Sequence, residues 1–212
     1  MNLEEVFNPY IKSLESGIRD ENWFLATMGA CTLPDICTSL EDKRGNGPYI
    51  EWFNTYVKAY QPTVNRRKRF IAETLEEWIN SPPYKPEDVG LETIVFFSGV
   101  NAYALRCAFL HGGNGDLSLQ PVQSGERRFE RYKDQIINIK KVEFINDPTI
   151  TIDKDKENGI AYLNPERYCR AIIAGVINWI ETISELKTSD KPNEQRVYSI
   201  VHENASKMIK FE

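Results

Sequence analysis

The stretch that most constrains this chain is Ser98 to Gly113, Ser-Gly-Val-Asn-Ala-Tyr-Ala-Leu-Arg-Cys-Ala-Phe-Leu-His-Gly-Gly. Ser98 suits an N-cap, since its hydroxyl can accept from an orphan amide of the first turn. Gly112 and Gly113 suit a stop, because glycine takes the left-handed conformation that closes a helix. Between them Val100, Tyr103, Ala104, Cys107, Ala108 and His111 recur at helical spacing, and Ala102, Leu105 and Phe109 cover much of the other side. A helix apolar nearly all round is a buried one. From Ile94 to His111 the only formally charged side chain is Arg106. A guanidinium keeps its proton and is almost never fully buried without a partner, so Arg106 needs either a salt bridge to a neighbouring helix or a ligand.

The rest of the chain supplies a mainly helical setting. Leu3–Arg19 carries Val6, Phe7, Tyr10, Ile11 and Leu14 in an amphipathic period, and Asp20-Glu21-Asn22 interrupts it. A second helix is expected from Trp23 to Glu41, with a kink or a restart near Thr32 because Pro34 lies inside it. Lys43 to Pro48 reads as loop, then Tyr49–Tyr60 as a short helix whose Tyr49, Trp52, Phe53 and Tyr56 suit a core or a subunit contact. Val64–Asn80 reads as a further helix, ended by Ser81-Pro82-Pro83. Between residues 135 and 163 the period shortens: Ile137, Ile139, Val142 and Phe144, then Ile150 and Ile152, then Ile160 and Tyr162 suggest strands, with Asn158-Gly159 as a hairpin turn. Asn164-Pro165 is a strong helix start for a run carrying Tyr168, Ile172, Val176, Trp179, Ile180 and Ile183, and a last helix follows Pro192. These elements predict one helical domain over residues 1–212 with a small antiparallel β-hairpin insertion at about 135–163.

Charge and residue counts narrow the chemistry. With 212 residues and a net charge of -5, the chain is not a strongly basic nucleic-acid binder. Two local basic runs remain as candidate phosphate contacts: Arg66, Arg67, Lys68 and Arg69, and a second with Arg127, Arg128, Arg131 and Lys133. The first run opens its helix, where cations oppose the helix dipole, and an anion or solvent would relieve that conflict. Two histidines, His111 and His202, exclude a multi-histidine metal site, and no metal or other cofactor is expected. Cys31, Cys37, Cys107 and Cys169 lack metal-ligand spacing and suit reduced thiols in a cytoplasmic protein. The acidic start Met-Asn-Leu-Glu-Glu has no signal-peptide character, and no run reaches the ~18 apolar residues of a membrane span. No glycine-rich phosphate loop opens a helix with a lysine, and Ser98, Cys107 and His202 form no recognisable nucleophile motif.

Arg106-Cys-Ala-Phe-Leu-His111 is an Arg-x4-His array near the end of a buried helix. In this setting it is similar to the Arg-x4-6-His motif of HEPN domains, named for nucleotide binding in higher eukaryotes and prokaryotes. The longer string Tyr103 to Gly113 resembles the motif helix of bacterial members of that superfamily, and Leu33-Pro-Asp-Ile-Cys-Thr-Ser-Leu-Glu41 resembles their early helix. The resemblance spans about Trp23–Glu41 and Ser98–Glu185 and leaves the β-insertion unaccounted for. It implies a HEPN-like helical bundle and, in competent members, a metal-independent endoribonuclease in which the 2′-OH of RNA attacks the adjacent phosphate. Arg106 and His111 would be its catalytic residues. Histidine suits proton transfer because it titrates near neutrality, and arginine suits the phosphorane because its fork stays charged. The resemblance also implies a symmetric homodimer, a role in defence or toxin–antitoxin systems, and an antitoxin or other protein partner. Active members commonly carry a polar residue after the arginine, where this chain has Cys107. The superfamily also holds non-catalytic scaffold members, and for such a protein the aromatic face of Tyr49–Tyr56 or the run Arg66–Arg69 would carry the contact.

Overall fold

The computed structural model describes residues 2–57, 97–118, 139–147, 152–155 and 159–208. Arg66, Arg67, Lys68, Arg69, Arg127 and Arg128 lie outside these residues, as does the helix expected over Val64–Asn80. The described residues are mainly helical: α1 (Leu3–Arg19), α2 (Trp23–Leu40), α3 (Asn46–Tyr56), α4 (Gly99–Gly112), α5 (Pro165–Glu185) and α6 (Pro192–Ala205), with a 3-10 turn at Leu186–Thr188.

Local chemistry explains most of the boundaries. Asn2, Asn22, Ser98 and Asn164 each accept a first-turn amide, so side-chain oxygens start four of the six described helices. α3 begins three residues earlier than the aromatic period suggests, at Asn46, because Gly45 sits at φ 96° and turns the chain directly into it. α2 runs unbroken through Pro34, so the expected restart near Thr32 does not occur. The Thr38 hydroxyl donates to the Pro34 carbonyl at 3.0 Å, a side-chain bond laid over the turn that follows the proline.

α2 is the hub, packing on α1, α3, α4, α5 and α6. Its mean composition is apolar, and Ala26, Ala30, Cys31, Leu33 and Cys37 are buried along it. The small residues among them, Ala26, Ala30, Cys31 and Cys37, let neighbouring helices come close. Around it aromatic side chains meet edge to face, Phe7 on Trp179, Phe53 on Phe97, and Phe97 on Tyr168, with centroids 5.5, 6.3 and 6.4 Å apart. Tyr49, Trp52 and Phe53 are buried in this core. The aromatic face of α3 is therefore spent inside the chain, which corrects the expectation that Tyr49–Tyr56 as a whole could carry a scaffold contact.

The β-insertion is mixed rather than antiparallel throughout. β2 (Ile152–Asp155) and β3 (Ile160–Leu163) form the expected antiparallel hairpin, with Gly159 at φ 67° entering β3. β1 (Lys141–Phe144) adds to the other edge of β3 in parallel, giving the order β1-β3-β2. A parallel partner is distant in sequence, so local alternation carries no sign of it. The free edge of β1 is covered by the segment leaving α4. The Leu117 amide donates to the Lys140 carbonyl at 2.8 Å, and the Val142 amide donates to the Gly115 carbonyl at 2.7 Å. A Cβ on Gly115 would lie 1.9 Å from the Val142 carbonyl oxygen, so only glycine permits this approach. The sheet is thus tied to the end of the motif helix.

Candidate functional site

α4 is placed by its N-terminus. The Ser98 hydroxyl caps it, the Gly99 amide donates to the Asn54 side-chain oxygen of α3 at 2.8 Å, and Gly99 lies flat against the Ile50 carbonyl. Its other end closes at Gly113, which is left-handed at φ 64° and donates to the Phe109 carbonyl. Val100, Ala102, Ala104, Leu105, Ala108 and Phe109 are buried, as the sequence pattern predicts. The burial stops short of the last turn, where His111 is exposed.

Arg106 points toward α2. Its Nε donates to Asp35 Oδ2 at 2.8 Å, and the two side chains retain 24% and 29% of their accessibility. Asp35 belongs to the Leu33–Glu41 string, so the two segments that carry the HEPN resemblance meet through this ion pair. A second guanidinium nitrogen, Nη1, lies 3.9 Å from Cys107 Sγ. The carboxylate thus takes the Nε donor of Arg106's five N–H groups, and the Cys107 sulfur lies against Nη1.

The surroundings are apolar and hydroxyl-rich. Tyr49 donates to the Cys31 carbonyl at 3.2 Å, Tyr168 Oη lies 3.6 Å from Cys31 Sγ, and the Tyr49 and Tyr103 rings meet edge to face at 5.4 Å. Burial pushes the Cys31 and Cys169 thiols up to about 12. Burial likewise raises the Asp35 carboxyl above its ordinary value, and the Arg106 charge offsets this only in part. Burial alone would lower Arg106, but the Asp35 carboxylate and the Cys107 sulfur hold it above its ordinary value.

A carboxyl raised by folding binds its proton more tightly in the native state. Its contribution to stability is therefore fully present below the ordinary carboxylate value of ~3.9 and is lost as pH rises through the folded value. The isosteric variant Asp35→Asn removes this dependence. Urea unfolding across pH 3.5 to 7 should show wild-type stability falling relative to Asp35→Asn as pH rises. The reverse trend would mean that attraction to Arg106 outweighs the burial of the carboxylate.

His111 does not share Arg106's position. Five residues on a regular helix are about 140° out of register, and α4 stays regular to its glycine cap. Within one chain, the distortion that would bring the two side chains together is not seen. Asp35 is the residue that sequence reasoning missed as a partner. It is 71 positions from Arg106, and its only local signal was a carboxylate in an otherwise apolar helix.

Among the described residues no group of three His, Cys, Asp or Glu side chains is placed to hold a metal ion, and no helix is long and apolar enough to cross a membrane. A groove of about 690 Å³ between α1 and α2 is lined by Tyr10, Leu14, Leu25, Ala26 and Gly29 among others, and includes none of Asp35, Arg106 and His111. No known protein family, curated protein or solved structure matches this chain.

Proposed function

We propose that this chain is a HEPN-type helical domain that binds RNA and cleaves it without a metal ion. Arg106 steadies the phosphorane and His111 carries the proton. The observation that supports this reading best is the state of Arg106. It is a partly exposed guanidinium, held at its Nε by Asp35 and backed by a packed helix. That arrangement anchors the side chain at Nε, with Nη1 beside the Cys107 sulfur, and a guanidinium has five N–H donors with which to meet phosphate oxygens as well. The 140° offset within one helix is bridged when a second copy lays its own α4 alongside, so the site is composed in a homodimer in the cytoplasm. A role in defence, with an antitoxin partner, belongs to the same proposal.

The experiment is incubation of the purified protein with single-stranded and structured RNAs in EDTA. Cleavage should survive the chelator, leave a cyclic phosphate end, and spare an all-deoxy strand. Light scattering at tens of micromolar, on the order of working concentrations for obligate dimers, should give twice the chain mass. A second reading is favoured by the Asp35–Arg106 pair itself: a non-catalytic scaffold in which the ion pair only joins α2 to α4. Intact RNAs under all these conditions, together with a monomer, would decide for it.

A further inference from the structure

α1 and α5 run antiparallel: Phe7 meets Trp179 near one end of the pair, while Glu15 and Ile18 share a surface hollow with Glu166 and Arg170 near the other. The start of α1 therefore lies beside the end of α5, and a groove of about 400 Å³ opens there. Ile11, Ile177 and Ile180 give it an apolar lining, and Glu4, Glu5 and Glu181 give it negative charge. Ile177 is 43% exposed. None of the three carboxylates is in an ion pair among the described residues. Lys12 follows Ile11 but does not line the groove. Glu4 and Glu5 suit the first turn of their own helix, where the dipole favours anions. Glu181 and Glu185 do not suit theirs: they lie at the end of α5 that favours cations, and its last turn holds no basic residue. Lys187, in the turn beyond, is paired with neither.

We propose that this groove docks a basic amphipathic helix of a partner protein, which sets an apolar anchor against Ile177 and Lys or Arg side chains against Glu4, Glu5 and Glu181. The charge decides the occupant. A second copy docked through the same patch about a two-fold axis would face these carboxylates with their own kind. RNA carries the same sign and is repelled for the same reason. A basic partner meets all three carboxylates and supplies the cation that the end of α5 lacks. A helix suits the space between two antiparallel helices, because anchors at i, i+3 or i+4, and i+7 present one narrow apolar stripe. Burying Ile177 supplies affinity, while the carboxylates supply orientation and speed of encounter. The groove includes none of Asp35, Arg106 and His111, so the assignment goes beyond the ribonuclease reading and holds equally for a scaffold.

The test uses the full-length protein and fluorescence anisotropy with three labelled peptides of about 16 residues, long enough to hold a helix. The first is amphipathic, with leucine anchors and a lysine face. The second carries glutamate in place of lysine, and the third keeps the lysines but has serine in place of leucine. Only the first should bind, and its affinity should fall as salt screens the carboxylates. Ile177→Ser should weaken it by about 10-fold, the worth of one interface anchor. The triple variant Glu4→Gln, Glu5→Gln, Glu181→Gln should weaken it by about 5- to 50-fold at low salt and remove most of the salt dependence. Glu15→Gln, on α1 outside the groove, and Arg106→Ala should bind it as the wild type does. All four groove positions are exposed, so urea unfolding should match the wild type in both groove variants. Equal binding of the lysine peptide by the wild type and both groove variants would overturn the assignment, as would equal binding of the glutamate peptide. No saturable binding of the lysine peptide by the wild type would overturn it as well. A chain mass that falls in Ile177→Ser, with peptide binding unaltered, would make a second copy the occupant and overturn it too.

Discussion

Under the proposed ribonuclease reading, replacing His111 by alanine is expected to slow RNA cleavage by ~10²–10⁴-fold, the usual worth of a positioned proton-transfer group, while leaving the folded state intact. His111 is exposed in the last turn of α4, so truncation opens no cavity. Arg106→Ala should lose ~10²–10³-fold, comparable to removing a donor to a developing oxyanion. Unlike His111→Ala it should also lose stability, since it strips Asp35 of its partner; a hydrogen bond involving charged groups is worth ~1.5–3 kcal/mol. Because residues acting as a unit are non-additive, the double variant should cleave little more slowly than the worse single one. Single-turnover cleavage paired with urea unfolding separates the two effects. Full activity in His111→Ala would remove it from the mechanism.

A large loss of stability from a single methyl group is expected at Gly99. A Cβ there would lie 2.3 Å from the Ile50 carbonyl oxygen and 3.0 Å from the Ile50 carbonyl carbon and Cα. These are backbone atoms in the middle of α3, so they cannot swing aside as a long side chain would. α4 must lift away from α3, which also stretches the bond from the Gly99 amide to Asn54. Overpacking of this kind costs ~1–3 kcal/mol, more where the neighbour is rigid, and the upper end is expected here. For a chain of this size each kcal/mol lowers the melting temperature by ~2–4 °C, so Gly99→Ala should melt on the order of 6–12 °C lower. Chemical unfolding that places it within ~0.5 kcal/mol of wild type, the range of an unremarkable surface change, would show that α4 is not seated through this contact.

How much of this was legible beforehand depended on the distance over which each interaction acts. α1, α5 and the start and stop of α4 follow from caps, proline at the first turn and apolar period, all signals within a few residues, and the structure places them where those signals fall. Pro34 promised a kink or a restart in α2, and the restart did not occur, because tertiary packing on five neighbouring helices keeps the chain helical through it. The hairpin was legible from its alternation and turn. The parallel addition of β1 and the bridge from Gly115 were not, since neither leaves a local mark. The candidate site divides in the same way. Arg106 stood out as a lone charge in an apolar helix, but its partner Asp35 could be named only after α2 and α4 were brought together. His111 sat on the apolar face by period and came out exposed, because that face outlasts the helices packed against it.

The four cysteines turn this architecture into an instrument. Cys31, Cys37 and Cys169 are sealed in the core, with burial lifting each thiol well above its ordinary value, whereas Cys107 is partly accessible beside the Arg106 guanidinium. A thiol reagent acts on the accessible thiolate, so under native conditions one position should take up label quickly and three only as fast as the core opens. Without any mutation, the protein thus offers an address for a spectroscopic probe next to its candidate site. The three slow thiols supply, in the same reaction, a clock for how often the bundle around α2 comes apart.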